Sequence, residues 1–131
     1  MGSIKLVDAP TAISLTAAEQ TLISFLLPEG ILDYFEILKV EKESKELQIY
    51  LEEKNIAPSG YQITELESKG FLPEVAIQDF PIRGQKVALR IKRRRWTVKK
   101  TGDIISRDWD LVRKGARMTT EFGLFLKGIF G

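Results

Sequence analysis

Residues 85–98 decide the fold and read QKVALRIKRRRWTV. Val87, Leu89 and Ile91 form one apolar row at period 2. The alternate row contains Lys86, Arg90 and Lys92, so the pattern is typical of a half-buried β-strand. Gly84 precedes the stretch and suits a turn that needs a positive φ. The pattern therefore predicts a long strand over 85–98. Beyond Ile91 both rows of side chains are charged, so we expect the strand to leave the core and project as a basic ribbon.

Three shorter extended segments precede the long strand. They span residues 34–41, 46–53 and 71–80. The first loses its alternation between Ile37 and Leu38, which indicates a β-bulge or burial on both faces. Short polar turns join the first segment to the second, and the third to the long strand. The sequence therefore predicts an antiparallel sheet of about four strands built from two hairpins.

Helical patterns flank the strands. Thr16 is followed three positions later by Glu19, a capping-box pattern, and Leu22, Phe25 and Leu26 then share one helical face. A second apolar stripe near the end of the chain predicts a short C-terminal helix. The expected fold class is α+β, organised as a flexible leader (1–15), an α+β domain with the basic ribbon (16–117) and a C-terminal helix that starts a truncated helical region (118–131).

Charge is distributed unevenly along the chain. The stretch Arg83–Arg117 holds thirteen basic and three acidic residues, a net charge of +10, whereas residues 1–82 carry −8. A concentrated positive surface attracts polyanions, of which nucleic acid is the commonest. The alternative is that the basic residues pair with the acidic half of the same chain. That alternative places them near four carboxylates: Glu41, Glu43, Glu52 and Glu53.

The basic stretch supplies the candidate nucleic-acid contacts. The main set is Arg90, Lys92, Arg93, Arg94 and Arg95, with Lys99, Lys100 and Arg107 adding phosphate contacts. Trp96 could stack on a base, or it could cover the end of the sheet. Residues 99–103 look like the turn of a further hairpin, across which Trp96 and Trp109 would meet.

Several classes of function are disfavoured by composition. The chain has neither cysteine nor histidine, so disulfides, thiol nucleophiles and Cys/His zinc sites are excluded. No phosphate-binding glycine loop or nucleophile elbow occurs, and paired carboxylates such as Glu52 and Glu53 usually solvate a surface. We therefore expect no enzyme activity, no cofactor and no metal. Without a long apolar run or a signal peptide, we expect no membrane association and a cytoplasmic location.

Four stretches carry a resemblance to a known family. They are Leu27–Phe35, Ile49–Asn55, Asp79–Gly84 and Lys92–Trp96. In this order they resemble the N-terminal region of DDE-type insertion-sequence transposases of bacteria. The similarity is greater to the short N-terminal proteins that some of these elements encode separately, and it covers about residues 25–128. It implies a non-catalytic DNA-binding module whose transposition activity needs a separately encoded DDE catalytic protein.

One departure from that family concerns zinc. The family follows its Arg-rich strand with a Cys-x-x-Cys-Gly turn, which matches residues 98–102 here. Gly102 is kept, but Val98 and Thr101 occupy the ligand positions, so the turn is expected without the metal. The leading hypothesis is a module that binds duplex DNA of the element. The alternative is a protein-interaction domain that docks a catalytic subunit or another partner.

Overall fold

The computed structural model of the chain describes residues 15–109, Val112, Leu126 and Lys127, with the backbone alone at Phe80. One α-helix and seven strands lie with both ends inside this part of the chain, and Trp109, Val112, Leu126 and Lys127 are helical as well, which confirms the α+β class. In chain order they are α1 (Ala17–Ser24), β1 (Phe35–Glu43), β2 (Glu46–Glu53), β3 (Leu66–Phe71), β4 (Val75–Ile82), β5 (Gln85–Lys92), β6 (Arg94–Val98) and β7 (Ile104–Ser106). Two short 3₁₀ turns, Ile31–Asp33 and Ile63–Glu65, precede β1 and β3.

The first sheet has four strands in the order β1-β2-β5-β4. The two expected hairpins, β1–β2 and β4–β5, are both antiparallel. They meet through a parallel pair in which Leu47 lies opposite Val87 and Leu51 opposite Ile91, so the sheet is mixed. Turn residues fix the pairing inside each hairpin, but they do not fix how one hairpin meets the next. The bulge expected near Leu38 is present, between Ile37 and Lys39.

One face of this sheet carries the main core. Its buried side chains from β2 and β5 are Ile49, Leu51, Val87, Leu89 and Ile91, and Leu27, Ile31, Phe35, Trp109 and Leu126 pack with them. The Phe35 and Trp109 rings stack with their centroids 5.2 Å apart, and Tyr34 meets Trp109 edge-on at 5.3 Å. The core row predicted from the alternation in β5 is therefore confirmed.

The second sheet has three strands in the order β3-β6-β7, all antiparallel. The chain stays extended over most of the predicted 85–98, but at Arg93 it passes from the first sheet into the second. The expected projecting ribbon is therefore wrong, because β6 is the central strand of a sheet. β3 lies between the predicted segments 46–53 and 71–80, where no strand was predicted, and overlaps the latter only at Phe71. Its segment LESKGF has only Leu66 buried and shows no alternation that would announce a strand.

Helix α1 begins as predicted and ends early. Thr16 caps it, and the reciprocal capping box with Glu19 is present. The helix ends at Ser24, and its expected apolar face is turned to solvent, with Leu22 65%, Phe25 80% and Leu26 43% exposed. The predicted leader and the predicted C-terminal helix fall almost wholly outside the described residues. Within the described part, no helix is long and apolar enough to cross a membrane.

Candidate nucleic-acid interface

A buried ion pair joins the two sheets. Glu53 ends β2 and Arg107 follows β7; Glu53 is fully buried and Arg107 nearly so. The Arg107 Nε donates to Glu53 Oε2 at 2.7 Å, and its NH2 donates to the Ile56 carbonyl. The guanidinium also lies 5.2–5.8 Å from three ring centroids, those of Tyr34, Trp96 and Trp109. A charge held this way is not available to a phosphate, so the phosphate contact predicted for Arg107 is wrong.

Arg94 and Trp96, both in the Arg-rich run, form hydrogen bonds to the chain at the end of β2 and just after it. The backbone N–H of Arg94 donates to Glu53 Oε1 at 2.9 Å, and its side chain donates to the Glu53 carbonyl and to Ser68 Oγ. The Trp96 Nε1 donates to Asn55 Oδ1 at 2.8 Å, and its ring is fully buried. Base stacking by Trp96 is therefore ruled out by its burial. Its alternative role, covering the end of the sheet, agrees with its position. Trp96 and Trp109 were predicted to lie opposite each other across the hairpin. This prediction is wrong, because Ile105 lies opposite Trp96.

The buried carboxylate makes stability depend on pH. Burial raises the pKa of Glu53 above its ordinary 4.5, although the hydrogen bonds from Arg107 and from the Arg94 amide oppose that rise. A raised folded pKa means that the folded protein binds this proton more tightly than the unfolded chain. The stability that this proton binding adds to the folded state is fully present below pH 4.5. It is lost as the pH rises through the folded-state pKa of Glu53.

Comparison with Glu53→Gln isolates this effect. We expect the melting temperature of the native protein, taken relative to that of Glu53→Gln, to fall as the pH rises from about 4 to about 7. Thermal melts at several pH values measure it. A difference that stays constant, or that grows in favour of the native protein, would contradict the raised pKa.

The outer face of β6 carries the remaining basic residues of the run. Arg95 and Thr97 alternate with buried Trp96 and therefore project from the opposite face, and Arg93 stands two residues before Arg95. Three polar atoms of these side chains are shielded from solvent yet have no hydrogen-bond partner among the described residues: Arg93 Nε, Arg95 Nε and Thr97 Oγ1. Among the described residues, the Arg95 side chain donates a hydrogen bond to the carbonyl of Lys69, on the adjacent strand β3, at 3.3 Å and to no other group.

A hydrogen-bonded turn joins β6 to β7. The Val98 N–H donates to the Asp103 carbonyl, and the N–H of Gly102, which has a φ of 79°, donates to the Val98 carbonyl; both distances are 2.7 Å. The Thr101 hydroxyl donates to Asp103 Oδ2 at 3.0 Å. The described residues hold no group of three or more potential metal ligands. Hydrogen bonds thus hold this turn, and two exposed lysines, Lys99 and Lys100, stand on it.

Arg90 and Lys92 lie elsewhere, on the solvent face of the first sheet. Arg90 Nε pairs with Glu74 Oε2 at 3.0 Å, and Lys92 lies opposite Glu52. Together with Tyr50 they line a shallow groove of about 150 Å³. Acidic and basic side chains both line this groove, so its charge is largely balanced.

The expected pairing with the acidic half therefore holds for part of the set only. Glu53 takes Arg107 and Glu74 takes Arg90, whereas Glu41 pairs with Lys39, outside the basic stretch. Tyr50 also donates to Glu41, and this hydrogen bond is the main reason that the pKa of Glu41 is lowered. Arg93, Arg95, Lys99 and Lys100 form no ion pair within the described residues.

Two residues on the outer face were missed by the sequence reasoning. Lys69 lies on β3, a strand that no alternation of apolar and polar residues predicted. The sequence therefore gave no indication that Lys69 lies beside Arg95. Thr97 could have been found, because it continues the row of positions 93 and 95 at period 2.

Comparisons with protein-family models, with curated proteins and with solved structures found no match to this chain.

Proposed function

We propose that this protein is a non-catalytic DNA-binding module, and that it binds duplex phosphates with the outer face of the second sheet and the turn beyond it. This surface is called the β6 face and consists of five cations: Lys69, Arg93, Arg95, Lys99 and Lys100. The observation that supports it most is their lack of carboxylate partners among the described residues, while Arg90 and Arg107 are both paired. Unpaired cations gathered on one surface favour a polyanion.

The chemistry of this face favours phosphates over bases. Binding of single strands usually relies on exposed aromatic rings on which bases stack. By strand register, the outer face presents Glu67, Arg95, Thr97, Ile104 and Ser106, with no aromatic ring among them. Arginine and lysine side chains that touch phosphates position a protein on the duplex without reading its sequence. We therefore assign the face to phosphate contact on duplex DNA.

The resemblance to transposase N-terminal regions gives this binding a biological setting. In that setting the duplex is the DNA of the element, and a separately encoded DDE protein supplies catalysis. The module would hold the DNA while the other polypeptide cuts and joins it. Its own contribution is electrostatic and positional, so no catalytic residue is assigned to it.

A charge-removal variant tests the assignment. Replacing Arg93, Arg95, Lys99 and Lys100 together by glutamine should weaken binding to a short duplex by about 100-fold or more at about 0.1 M salt. The melting temperature should hardly change, because none of the four forms an ion pair in the described part of the chain. Fluorescence anisotropy and a thermal melt of the same sample measure both quantities.

The β1–β2 hairpin offers a matched control. Lys42 and Lys45 are exposed there, and changing both to glutamine removes cations away from the β6 face. We expect the affinity of this control to stay within about 3-fold of the native value after allowance for net charge. Equal losses in the two variants would point to bulk charge and count against a defined face.

A second candidate function is docking of a protein partner. It is favoured by the three exposed apolar side chains of α1 and its C-terminal end: Leu22, Phe25 and Leu26. Exposed apolar side chains that lie together often mark an interaction site. Changing Phe25 to serine should then abolish association with a catalytic polypeptide and leave DNA affinity unchanged, as pull-down and anisotropy would measure.

A further inference from the structure

The outer edge of β1 is an open strand edge in the described part of the chain. β1 pairs with β2 on one side, and no described strand lies on its other side. The strand is regular from Lys39 to Glu43, after the bulge that follows Ile37. An open edge presents backbone N–H and C=O groups, so it can pair with a strand of another chain.

The turn between β1 and β2 determines which backbone groups of this edge point outward. It has two residues, so the residues that flank it, Glu43 and Glu46, form a hydrogen-bonded pair. Hydrogen-bonded and non-hydrogen-bonded pairs alternate along an antiparallel ladder. The backbone groups of Val40 and Lys42 therefore point away from β2, toward the open edge.

Two opposite charges lie side by side along this edge. Lys39 and Glu41 are on the face of β1 that is turned away from the core, with Lys39 Nζ 3.2 Å from Glu41 Oε2. Tyr50 holds both, because its hydroxyl donates to Glu41 at 2.9 Å and its ring centroid lies 4.5 Å from Lys39 Nζ. The two side chains are still 25% and 36% exposed, so each can contact a further charge.

We propose that β1 pairs antiparallel with β1 of a second copy of this chain, about a two-fold axis at Val40. Val40 then exchanges two backbone hydrogen bonds with Val40 of the partner subunit. Lys39 lies opposite Glu41 of the partner subunit in a non-hydrogen-bonded pair, where the Cα atoms are about 4.5 Å apart and side chains are close. The two four-stranded sheets thereby become one continuous sheet. This inference does not depend on the proposed DNA-binding function.

The charges of β1 select this register. The other four residues of the regular stretch 39–43 are all charged, so an axis at any of them places a charge opposite its own copy. Like charges directly opposite each other destabilise a strand pair. An axis at Val40 gives two pairs of opposite charge instead. A two-fold interface must be self-complementary, and a lysine and a glutamate on either side of an apolar centre meet that requirement.

The other outer strand of the first sheet is less suited to such pairing. The regular part of β4 runs from Val75 to Asp79, and Pro73 and Pro81, which lack a backbone N–H, stand on either side of it. This part carries a single charge, that of Asp79, so two copies of it cannot form opposite-charge pairs. The charge pattern, together with the open edge, therefore points to β1.

Charge reversal on the full chain tests the interface. In sedimentation velocity at concentrations up to about 1 mM, the native protein should show a dimer whose fraction rises with concentration. Lys39→Glu and Glu41→Lys each put like charges opposite one another, and each should raise the dissociation constant by about 10-fold or more. Lys69→Glu is the matched control; it makes the same change of charge as Lys39→Glu on the second sheet and should leave the dimer unchanged.

An equimolar mixture of Lys39→Glu and Glu41→Lys tests the register itself. Each chain then presents to the other the opposite charge at both positions, so the mixture should dimerise about as well as the native protein. Melts followed by circular dichroism show that each variant is folded. A native protein that stays monomeric throughout the series would overturn the proposal. So would a dimer that both variants retain undiminished, or one that both lose and the mixture does not restore.

Discussion

Replacing Arg107 with methionine is expected to lower the free energy of unfolding by about 3–5 kcal/mol at neutral pH. The change leaves the Glu53 carboxylate fully buried without its cation, and it also removes the hydrogen bond to the Ile56 carbonyl. Methionine keeps much of the apolar volume between the surrounding rings. The loss should therefore report the unpaired charge, and denaturant unfolding of the two proteins measures it.

A double variant checks that reason. Adding Glu53→Gln to Arg107→Met removes the stranded charge and keeps an oxygen that can accept from the Arg94 N–H. We expect the double variant to recover part of the lost stability, because burying a neutral amide costs less than burying an unpaired carboxylate. If the stability loss of the double variant equalled the sum of the losses of Arg107→Met and Glu53→Gln alone, the ion pair would not couple the two sheets.

Replacing Trp96 with alanine is expected to cost about 3–5 kcal/mol of stability. The ring is fully buried and its Nε1 donates to Asn55, so the variant loses both a large apolar surface and a hydrogen bond. Trp96→Phe keeps most of the ring and should cost about 1–2 kcal/mol. Chemical denaturation followed by circular dichroism measures both variants.

The phenylalanine variant also tests the assignment of the DNA face. A buried ring cannot stack on a base, so Trp96→Phe should bind duplex DNA as the native protein does at temperatures where both are folded. A loss of affinity with an intact fold would show that this ring contacts the nucleic acid, contrary to its position in the structure.

Much of the first sheet could be predicted from the sequence. The alternation of Val87, Leu89 and Ile91 fixed the core face of β5, and the turn residues fixed both hairpins. The parallel join between β2 and β5 could not be predicted, because no local residue records which strands of two hairpins will meet. The capping box at Thr16 was also predictable, since it depends on four consecutive residues alone.

The basic run was harder to interpret, because charge alone does not separate a surface residue from a buried one. In sequence, Arg94 and Arg107 look like the other basic residues near them. Their role in holding the fold comes from hydrogen bonds to Glu53, which is distant along the chain. Glu53 in turn looks like any acidic residue at a strand end. At period 2, Glu53 falls in the same row as Ile49 and Leu51, which is the core face of β2. A carboxylate buried on that face needs a cation as its partner. That signal was present, but the identity of the cation depends on long-range folding.

The salt dependence of duplex binding tests the central claim most directly. With five phosphates neutralised by Lys69, Arg93, Arg95, Lys99 and Lys100, the logarithm of the association constant should fall with the logarithm of salt at a slope of about −4.5. The variant that lacks the last four cations should give a slope of about −1, and the Lys42/Lys45 control should keep the native slope. A native slope near zero, or a native-like slope in the four-residue variant, would contradict the assignment of this face to DNA.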